Sequence, residues 1–467
     1  MKTDIGLAGM GVMGTALARN IGSKKHTISL YNRHVKGSEE GVAQNIVEAY
    51  EVLQNAHAFE EVAPFVASIA KPRKVLLTLT AGPAIDQMID QLLPHLESGD
   101  LIIDGGNSHF LDTERRMKNL LSKKILFLGL GISGGQAGAL NGPSLMAGGP
   151  QAAYDLVQPV LMSIAAQTPT GEKTCGHVGD GGAGHFVKMI HNAIEYGEMQ
   201  CIAEHFEIMN QGMNMSYESI ATVFEKWNKD EFESYLLEIT IKILRSKDRA
   251  GHLIDLINDK ASYNQTGSWA LATALDNFHN YELVSSALFS RYVSNQKDDR
   301  IRLSQYKKNN TNDLPPKTEL LRASFRFCRI INHFQSFRLI DLYSKKYSSP
   351  IDLGELCTIW SAGCIIRSKL LAELKPLLGQ ECTLFFGEDY IHRLIGDQAS
   401  LAWVVSQTAT TDIPVPFISA ALTYFKQMTQ ERSSAHIIQA QRDFFGAHGF
   451  EKLGGIPGQL YHHQWDS

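Results

Sequence analysis

The stretch TDIGLAGMGVMG, residues 3–14, decides the fold of this chain. A short apolar strand runs directly into a GxGxxG motif, Gly9–Gly14, and a helix is predicted from about Met13 to Ile21. Glycines at these positions permit a tight turn, a close approach of backbone to a pyrophosphate, and packing of the helix on the strand. The motif alone is weak, since Gly179–Gly184 also matches it far from the N-terminal strands. The strand before it predicts a dinucleotide site formed by Gly9, Met10, Gly11, Val12, Met13 and Gly14.

The next predicted strand, HTISLYNR at residues 26–33, indicates which dinucleotide binds. It ends at Asn32-Arg33, 18 residues beyond Gly14, and His34 follows. An acidic residue at this position would hold the ribose of NAD, whereas Asn followed by Arg favours the 2′-phosphate of NADP. The alternative is a solvated arginine at a strand end. We therefore expect NADP, with NAD still possible, and Asn32, Arg33 and His34 as cofactor contacts.

The order of predicted elements divides the chain into three parts. Strands starting at Val75, Leu101 and Ile125 alternate with helices, which predicts a parallel sheet covered on both faces and a Rossmann-like α/β domain over residues 1–181. Long helical segments then predict a large all-α domain over residues 182–430, followed by a C-terminal tail at 431–467. The predicted helices are Gly184–Met213, Glu233–Arg245, Lys317–Tyr347 and Gly354–Leu374, and residues 307–316 are predicted to form a loop.

Composition excludes several classes of function. The 467 residues are 44% hydrophobic and 20% charged, with a net charge of −5. This balance gives no general attraction to nucleic acid or to an anionic membrane. No signal pattern and no apolar run of membrane-spanning length occurs. The six cysteines form no CxxC pair, which argues against a zinc site or a disulfide framework. We expect a cytoplasmic protein with a small-molecule substrate.

The segment GHFVKMIHNAIEYGEM, residues 184–199, carries the candidate chemistry. Lys188, His191, Asn192 and Glu195 recur at i, i+3, i+4 and i+7, which places them on one face of a helix. Lys188 and Glu195 are then roughly 10 Å apart along the axis, so a small polyol could lie between a general base and a general acid. The alternative is a solvated polar face. Apolar flanking residues and the preceding GDGGAG run favour a buried helix next to a ligand.

Two further polar segments follow predicted strands. DGGNS, which contains Asn107, comes after the strand at Leu101, and Ser133-Gly134-Gly135 comes after the strand at Ile125. Ligands of open α/β sheets bind at the carboxyl ends of the strands. Backbone N–H groups around Ser133 are suited to a carboxylate. An ordinary turn is the alternative for DGGNS.

These motifs together resemble the 6-phosphogluconate dehydrogenase family, the decarboxylating, NADP-linked enzymes of gluconate utilization and the pentose phosphate pathway. The matching motifs run in family order from Met10 to His448, across essentially the whole chain. They are GMGVMG, NR, KPRKVLL, DGGNS, ISGG, NGPSLMAGG, GAGHFVKMIHNAIEYGEMQ, GCIIRS and IQAQRDFFGAH.

The resemblance implies roles for individual residues. Lys188 matches the base that takes the C3 hydroxyl proton, and Glu195 matches the acid that protonates the enediol left after loss of CO₂. The resemblance also implies a homodimer in which the tail reaches the partner subunit, and it implies no metal. The implied substrate contacts are Asn107 (also a nicotinamide contact), Ser133, Gly134, Gly135, His191, Asn192, Tyr196, Thr266, Arg291, Arg442 and His448.

The chain also departs from the family pattern. The family's KGTGKW reads NQTGSW here, so a phosphate-binding lysine is replaced by Asn264, and VKAG reads LTAG, so a cofactor-side lysine is replaced by Thr80. The loss of one charge-assisted hydrogen bond costs about 1.5–3 kcal/mol, or roughly 10- to 150-fold in affinity. Two alternatives therefore stay open. One is a β-hydroxy-acid dehydrogenase for another sugar acid, and the other is a catalytically silent NADP-binding paralogue.

Overall fold

The computed structural model describes residues 2–249, 251–307, 313–379 and 381–465. Its N-terminal part is built on one eight-stranded sheet with the order β3-β2-β1-β4-β5-β6-β7-β8. The strands are β1 (Ile5–Ala8), β2 (Ile28–Tyr31), β3 (His57–Phe59), β4 (Lys74–Leu77), β5 (Leu101–Asp104), β6 (Leu126–Ser133), β7 (Ser144–Gly148) and β8 (Cys175–Gly179). This is the predicted Rossmann-like architecture.

The sheet is not parallel throughout, so that detail of the prediction is wrong. Strands β1 to β6 are parallel, but β7 runs antiparallel to β6, and β8 runs parallel to β7. The physical reason is the length of the connection. Only residues 134–143 separate β6 from β7, whereas a crossover to a parallel neighbour needs a dozen residues or more.

Helices cover both faces of this sheet because its short strands are apolar on both sides. Leu76 and Ile103 point into the core on one face, and Val75 and Ile102 point into the core on the other. The alternation follows from the period of two along a strand. The helices of this part are α1 (Val12–Ser23), α2 (Val42–Ala49), α3 (Val62–Ala67), α4 (Pro83–Leu92), α5 (Phe110–Leu121), α6 (Gly135–Asn141) and α7 (Gln151–Ile164).

The second part is helical, as predicted, apart from a small ribbon of β9 (Lys247–Asp248) and β10 (Gly251–His252). Its two longest helices, α8 and α14, pack side by side inside a third apolar core. The helices are α8 (Ala183–Glu207), α9 (Tyr217–Asn228), α10 (Tyr235–Arg245), α11 (Gln265–Asp276), α12 (Glu282–Asn295), α13 (Lys297–Ser304), α14 (Thr318–Lys346), α15 (Leu353–Trp360), α16 (Lys369–Leu374), α17 (Glu388–Thr408), α18 (Pro416–Met428) and α19 (Ala435–Gly446). Part of the predicted loop at residues 307–316 lies outside the described residues.

One predicted helix is broken in the structure. The segment Gly354–Leu374 forms α15 and α16, joined by an irregular turn at residues 361–368. Gly363 within the turn has a φ of +61°, a conformation that glycine adopts without strain. The turn brings Cys364 against Ser133 at the end of β6.

The tail folds around a single buried carboxylate. Asp443 of α19 accepts hydrogen bonds from the Gly449 and His463 amides and from the His462 and Trp465 rings. Burial raises the pKa of Asp443, but these four donors outweigh burial and hold the pKa well below its usual value. Within the described part of the chain, no helix combines the length and apolar character needed to cross a membrane.

Candidate active site

Helix α8 lies directly on the sheet because glycines line the contact. A Cβ on Gly184 would come within 2.4 Å of the Gly129 carbonyl oxygen, and a Cβ on Gly131 would lie 2.6 Å from Cβ of Lys188. Since β7 reverses the direction of the sheet, α8 starts level with Gly129, in the middle of β6, and runs toward Ser133 at the carboxyl end of that strand. The middle of α8 therefore reaches the sheet edge where ligands bind.

The predicted stripe on α8 forms a connected polar group, called here the Lys188 cluster (Ser133, Lys188, His191, Asn192 and Glu195). Nζ of Lys188 lies 3.3 Å from Nδ1 of His191, and Nε2 of His191 lies 2.8 Å from Oγ of Ser133. Nδ1 of His191 is 3.1 Å from Oδ1 of Asn192 and 4.0 Å from Oε2 of Glu195. All but Glu195 are buried, and the Glu195 side chain is 24% exposed. The stripe is therefore not a solvated face.

Burial sets the charge states of this cluster. It lowers the pKa of Lys188, although the negative charge of Glu195 opposes that shift. It lowers the pKa of His191 well below its usual value, and the charge of Lys188 adds to the effect. It raises the pKa of Glu195, opposed by Lys188 and Arg291. Burial thus favours a neutral amine and a protonated carboxyl on one helix face, which suits a base and an acid acting in the same reaction.

A second group, the Arg291 corner (Tyr196, Asn264, Thr266 and Arg291), adjoins the cluster through Asn192. Nδ2 of Asn192 donates to Oγ1 of Thr266 over 3.2 Å. Oδ1 of Asn264 caps α11 by accepting from the Thr266 amide at 3.1 Å, and the Tyr196 hydroxyl donates to it at 3.2 Å. The guanidinium of Arg291 lies 3.6 Å from the centre of the Tyr196 ring. A cation and a capped helix N-terminus therefore meet at one corner, a setting suited to an anion.

Three further predicted substrate contacts, Gly134, Gly135 and Asn107, lie at the carboxyl edge of the sheet. Gly134 and Gly135 follow Ser133 at the start of α6 with φ values of +117° and +61°. A Cβ on Gly134 would meet the Gly363 carbonyl at 2.5 Å, whereas nothing lies within 4 Å of one on Gly135. Asn107 is exposed on the loop between β5 and α5.

The GxGxxG turn has the shape that a dinucleotide needs. Gly9 has a φ of +102°, and a Cβ on Gly14 would collide with the Gly9 carbonyl at 1.9 Å. A Cβ on Gly11 would meet nothing within 4 Å, so backbone there is open to a pyrophosphate. The turn borders a cavity of about 360 Å³ that is also lined by Thr78, Thr80 and α4. Met10 belongs to the cavity lining, while Val12 and Met13 form the first turn of α1.

The three residues after β2 differ in their contacts. Oδ1 of Asn32 accepts from the Met10 amide at 3.0 Å, which ties the strand end to the glycine turn. Arg33 borders the cavity, is largely exposed, and pairs with Glu39 at 2.8 Å. His34 pairs with Glu60 at 3.3 Å. A phosphate at this end of the cavity would share Arg33 with Glu39.

Arg442 and His448 are not brought to α8 within one chain. Arg442 contacts Gln439 of its own helix, and the His448 ring packs on Phe445. Among the described residues, no hydrogen bond or ring contact joins either side chain to the Lys188 cluster or the Arg291 corner. Phe444 and Phe445 of the tail are mostly exposed.

One neighbour of the Lys188 cluster, Cys364, is not among the site residues predicted from the sequence. Sγ of Cys364 lies 2.9 Å from Nε2 of His191 and 3.4 Å from Oγ of Ser133. All six cysteines are buried, and none forms a disulfide. The sequence offers one indication, which is that Cys364 lies in GCIIRS, one of the motifs that carry the family resemblance.

Comparisons with known proteins cover the whole chain. Residues 4–179 match the profile described as the NAD binding domain of 6-phosphogluconate dehydrogenase, and residues 184–465 match the profile of its C-terminal domain. The chain is 40% identical to the decarboxylating 6-phosphogluconate dehydrogenase of Haemophilus influenzae (100% of this chain, 97% of that protein) and 38% identical to the Escherichia coli enzyme (99% of each). Among solved structures, Plasmodium falciparum 6-phosphogluconate dehydrogenase, studied as the apo form and with NADP⁺ and 6-phosphogluconate, superposes with a TM-score of 0.93 at 33% identity (99% of this chain, 100% of that chain). The chain therefore belongs to the 6-phosphogluconate dehydrogenase family.

Proposed function

We propose that this protein oxidatively decarboxylates 6-phospho-D-gluconate to D-ribulose 5-phosphate and CO₂, with NADP⁺ as the cofactor. The observation that carries the proposal is the buried Lys188 cluster, which lies at the sheet edge with an anion-suited corner beside it. A phosphorylated sugar acid has an anionic group at each end, and its two ends match the turn after Ser133 and the Arg291 corner.

Lys188 is the proposed base. In its neutral form it accepts the C3 hydroxyl proton, and NADP⁺ bound over the glycine turn supplies the hydride acceptor. The product of this oxidation is a β-keto acid, which loses CO₂ readily because the electrons pass to the ketone. The Lys188 ammonium then stabilises the developing enolate oxygen. Glu195, whose pKa is raised by burial, delivers the proton to C1 of the enediol.

The cofactor residues fit NADP⁺ by shape and charge. Gly11 leaves the pyrophosphate face open, and Asn32 holds the glycine turn in place. Arg33 supplies a cation for a 2′-phosphate. Thr80 stands where the family has a lysine, so a 2′-phosphate would have fewer cationic contacts on the α4 side of the cavity.

Purified protein tests the proposal through NADPH formation from 6-phosphogluconate. Lys188→Met should abolish turnover while NADPH binding stays at the wild-type level, because Lys188 lies outside the glycine turn. The matched control is Lys229→Met, at an exposed position directly after α9, and it should turn over normally. Wild-type turnover by Lys188→Met would refute the assignment of the base.

The second candidate is the same chemistry on a sugar acid with a weaker or absent phosphate. Asn264 favours it, because this side chain is committed to capping α11 and adds no charge to the Arg291 corner. A higher kcat/KM for gluconate than for 6-phosphogluconate would favour this candidate. An absence of turnover with every sugar acid would indicate the silent paralogue.

We also propose a homodimer with exchanged tails. Each chain is divided into a dinucleotide-binding domain (residues 1–181), a helical domain (182–430) and a tail (431–467). The separation of Arg442 and His448 from the Lys188 cluster supports it, as does the exposed apolar surface of the tail. Lys188→Met and Arg442→Met chains, each inactive alone, should regain activity when co-expressed, since a mixed dimer holds one complete site. No recovery in mixed dimers would refute the exchange. The proposed location is the cytoplasm.

A further inference from the structure

Arg116 of α5 is a buried cation that the proposed mechanism leaves without a role. Its side chain is 2% exposed, and its guanidinium faces two loops that follow neighbouring strands. One is the β4–α4 loop, which borders the cofactor cavity, and the other is the β5–α5 loop, which carries Asn107. A buried arginine is retained only where its donors are well matched.

On the β4–α4 side, Arg116 holds the start of α4. Nε and Nη2 bind the two carboxylate oxygens of Asp86 at 2.9 and 3.0 Å, and Nη2 also donates to the Gly82 carbonyl at 3.0 Å. The hydrogen bond from Arg116 is the largest cause that lowers the pKa of Asp86. Helix α4 contributes Ala84, Gln87, Met88 and Gln91 to the cofactor cavity.

On the β5–α5 side, the same guanidinium holds the loop around Asn107. Nη1 donates to Oδ2 of Asp104 at 3.2 Å and to Oγ of Ser108 at 3.3 Å. Asp104 closes the loop by accepting from the Gly106 amide at 3.0 Å and from the Ser108 hydroxyl at 2.7 Å. Asn107 therefore lies between residues fixed by one network.

The network continues to α8. Nε2 of His185 lies 3.1 Å from the Asp104 carbonyl, and Nδ1 lies 2.6 Å from Oγ1 of Thr113. Burial lowers the pKa of His185, which favours the neutral ring. A carbonyl only accepts, so the ring proton is on Nε2. His185 is one turn before Lys188, and the β5 loop is thus tied to the helix that carries the base.

We propose that Arg116 is a positioning residue that fixes the cofactor-side β4–α4 loop against the Asn107 loop and thereby aligns the nicotinamide with the substrate. The kinetic part of the test, kcat and KM, rests on the proposed function, whereas NADPH binding can be measured without turnover. A planar guanidinium can serve both loops at once, whereas an ammonium is a single point charge that cannot reproduce this fork.

The test uses the full-length protein and three variants. Arg116→Met removes both connections, and Arg116→Lys keeps the charge but not the fork. Arg115→Met is the matched control, because Arg115 also binds Asp86 at 3.0 Å but is 48% exposed and is bonded to neither Asp104 nor Ser108. NADPH binding is measured by its fluorescence, and kcat and both KM values are measured where turnover occurs.

We expect both Arg116 variants to weaken NADPH binding about tenfold or more and to lower kcat, since Arg116→Met loses the charge-assisted contacts at both loops and Arg116→Lys can keep them at one loop only. The KM for 6-phosphogluconate should rise by a smaller factor than the dissociation constant of NADPH, because Asn107 is only one of several implied substrate contacts, and Arg115→Met should match the wild type. A folded Arg116→Lys with wild-type NADPH affinity and kcat would overturn the proposal. Equal losses for cofactor and substrate, in parallel with a lower melting temperature, would also overturn it. If the wild type itself oxidises no 6-phosphogluconate, the proposed function fails, while the NADPH titration still decides the role of Arg116.

Discussion

A lysine in place of Asn264 would restore a cation to the Arg291 corner, and its effect can be worked out from the contacts there. Asn264 caps α11 and accepts the Tyr196 hydroxyl, while the Tyr196 ring lies under Arg291. The side chain at position 264 is therefore separated only by the Tyr196 ring from Arg291, the cation proposed to bind the substrate phosphate. Asn264→Lys should lower the KM for 6-phosphogluconate.

Two opposing effects determine the size of the change. The substitution removes an N-cap, which costs about 0.5–2 kcal/mol of helix stability. The new ammonium gains a charge-assisted hydrogen bond to phosphate of about 1.5–3 kcal/mol. Asn264→Met is the matched control, because it removes the cap without adding charge. The ratio of KM values between the methionine and lysine variants isolates the cation and should be about 10- to 150-fold.

The assay compares kcat and KM for 6-phosphogluconate and for gluconate in the wild type and both variants. The gain should be confined to the phosphorylated substrate and should shrink at high salt, because charge interactions near the surface are screened. Equal KM values for 6-phosphogluconate in Asn264→Lys and Asn264→Met would refute the placement of the phosphate at this corner.

Three further outcomes are expected. Gly131→Ala places a Cβ 2.6 Å from Cβ of Lys188 and should lower kcat about a hundredfold by displacing the base; a wild-type kcat would contradict the packing of α8. Arg33→Ala should raise the KM for NADP⁺ about 10- to 150-fold and leave NAD⁺ kinetics unchanged; equal changes for both cofactors would exclude a 2′-phosphate contact. Burial raises the pKa of Glu204 to about 7, so its folded form binds more protons than its unfolded form, and its stabilising contribution is present at low pH and lost as pH rises through about 7. The decrease in melting temperature from about pH 5 to about pH 8 should be smaller in Glu204→Gln, and an identical decrease would contradict this role.

Local patterns were enough to predict much of the fold. Apolar runs predicted β1, β2, β4, β5 and β6, and helical periodicity predicted the stripe on α8. The strand β3 has only three residues, and β7 and β8 lie in glycine-containing segments, SLMAG and CGHVG, which have weak strand character; these three strands were therefore not predicted. The reversal at β7 depends on the short connection after β6 and not on the residues of the strand itself.

The site was predictable where its residues share one helix. The spacing of the polar residues along α8 predicts that they share one face of the helix. Their burial depends on the close contact of α8 with the sheet at Gly131 and Gly184, which the spacing does not predict. The Arg291 corner was implied only by the family resemblance, because Asn192 and Thr266 come from different helices 74 positions apart. The contact of Cys364 with His191 spans 173 positions and had no local signal.

The length and burial of α8 have a consequence for motion in this enzyme. The helix has 25 residues, or about 38 Å at 1.5 Å per residue, and it packs both on the sheet and on α14. Bending between the two layers would break its own hydrogen-bond ladder, so α8 behaves as a stiff rod and cannot act as a hinge. We therefore expect cofactor and substrate to exchange through rearrangement of surface loops and the tail. Product release should respond to solvent viscosity through those loops and not through a clamshell movement of domains.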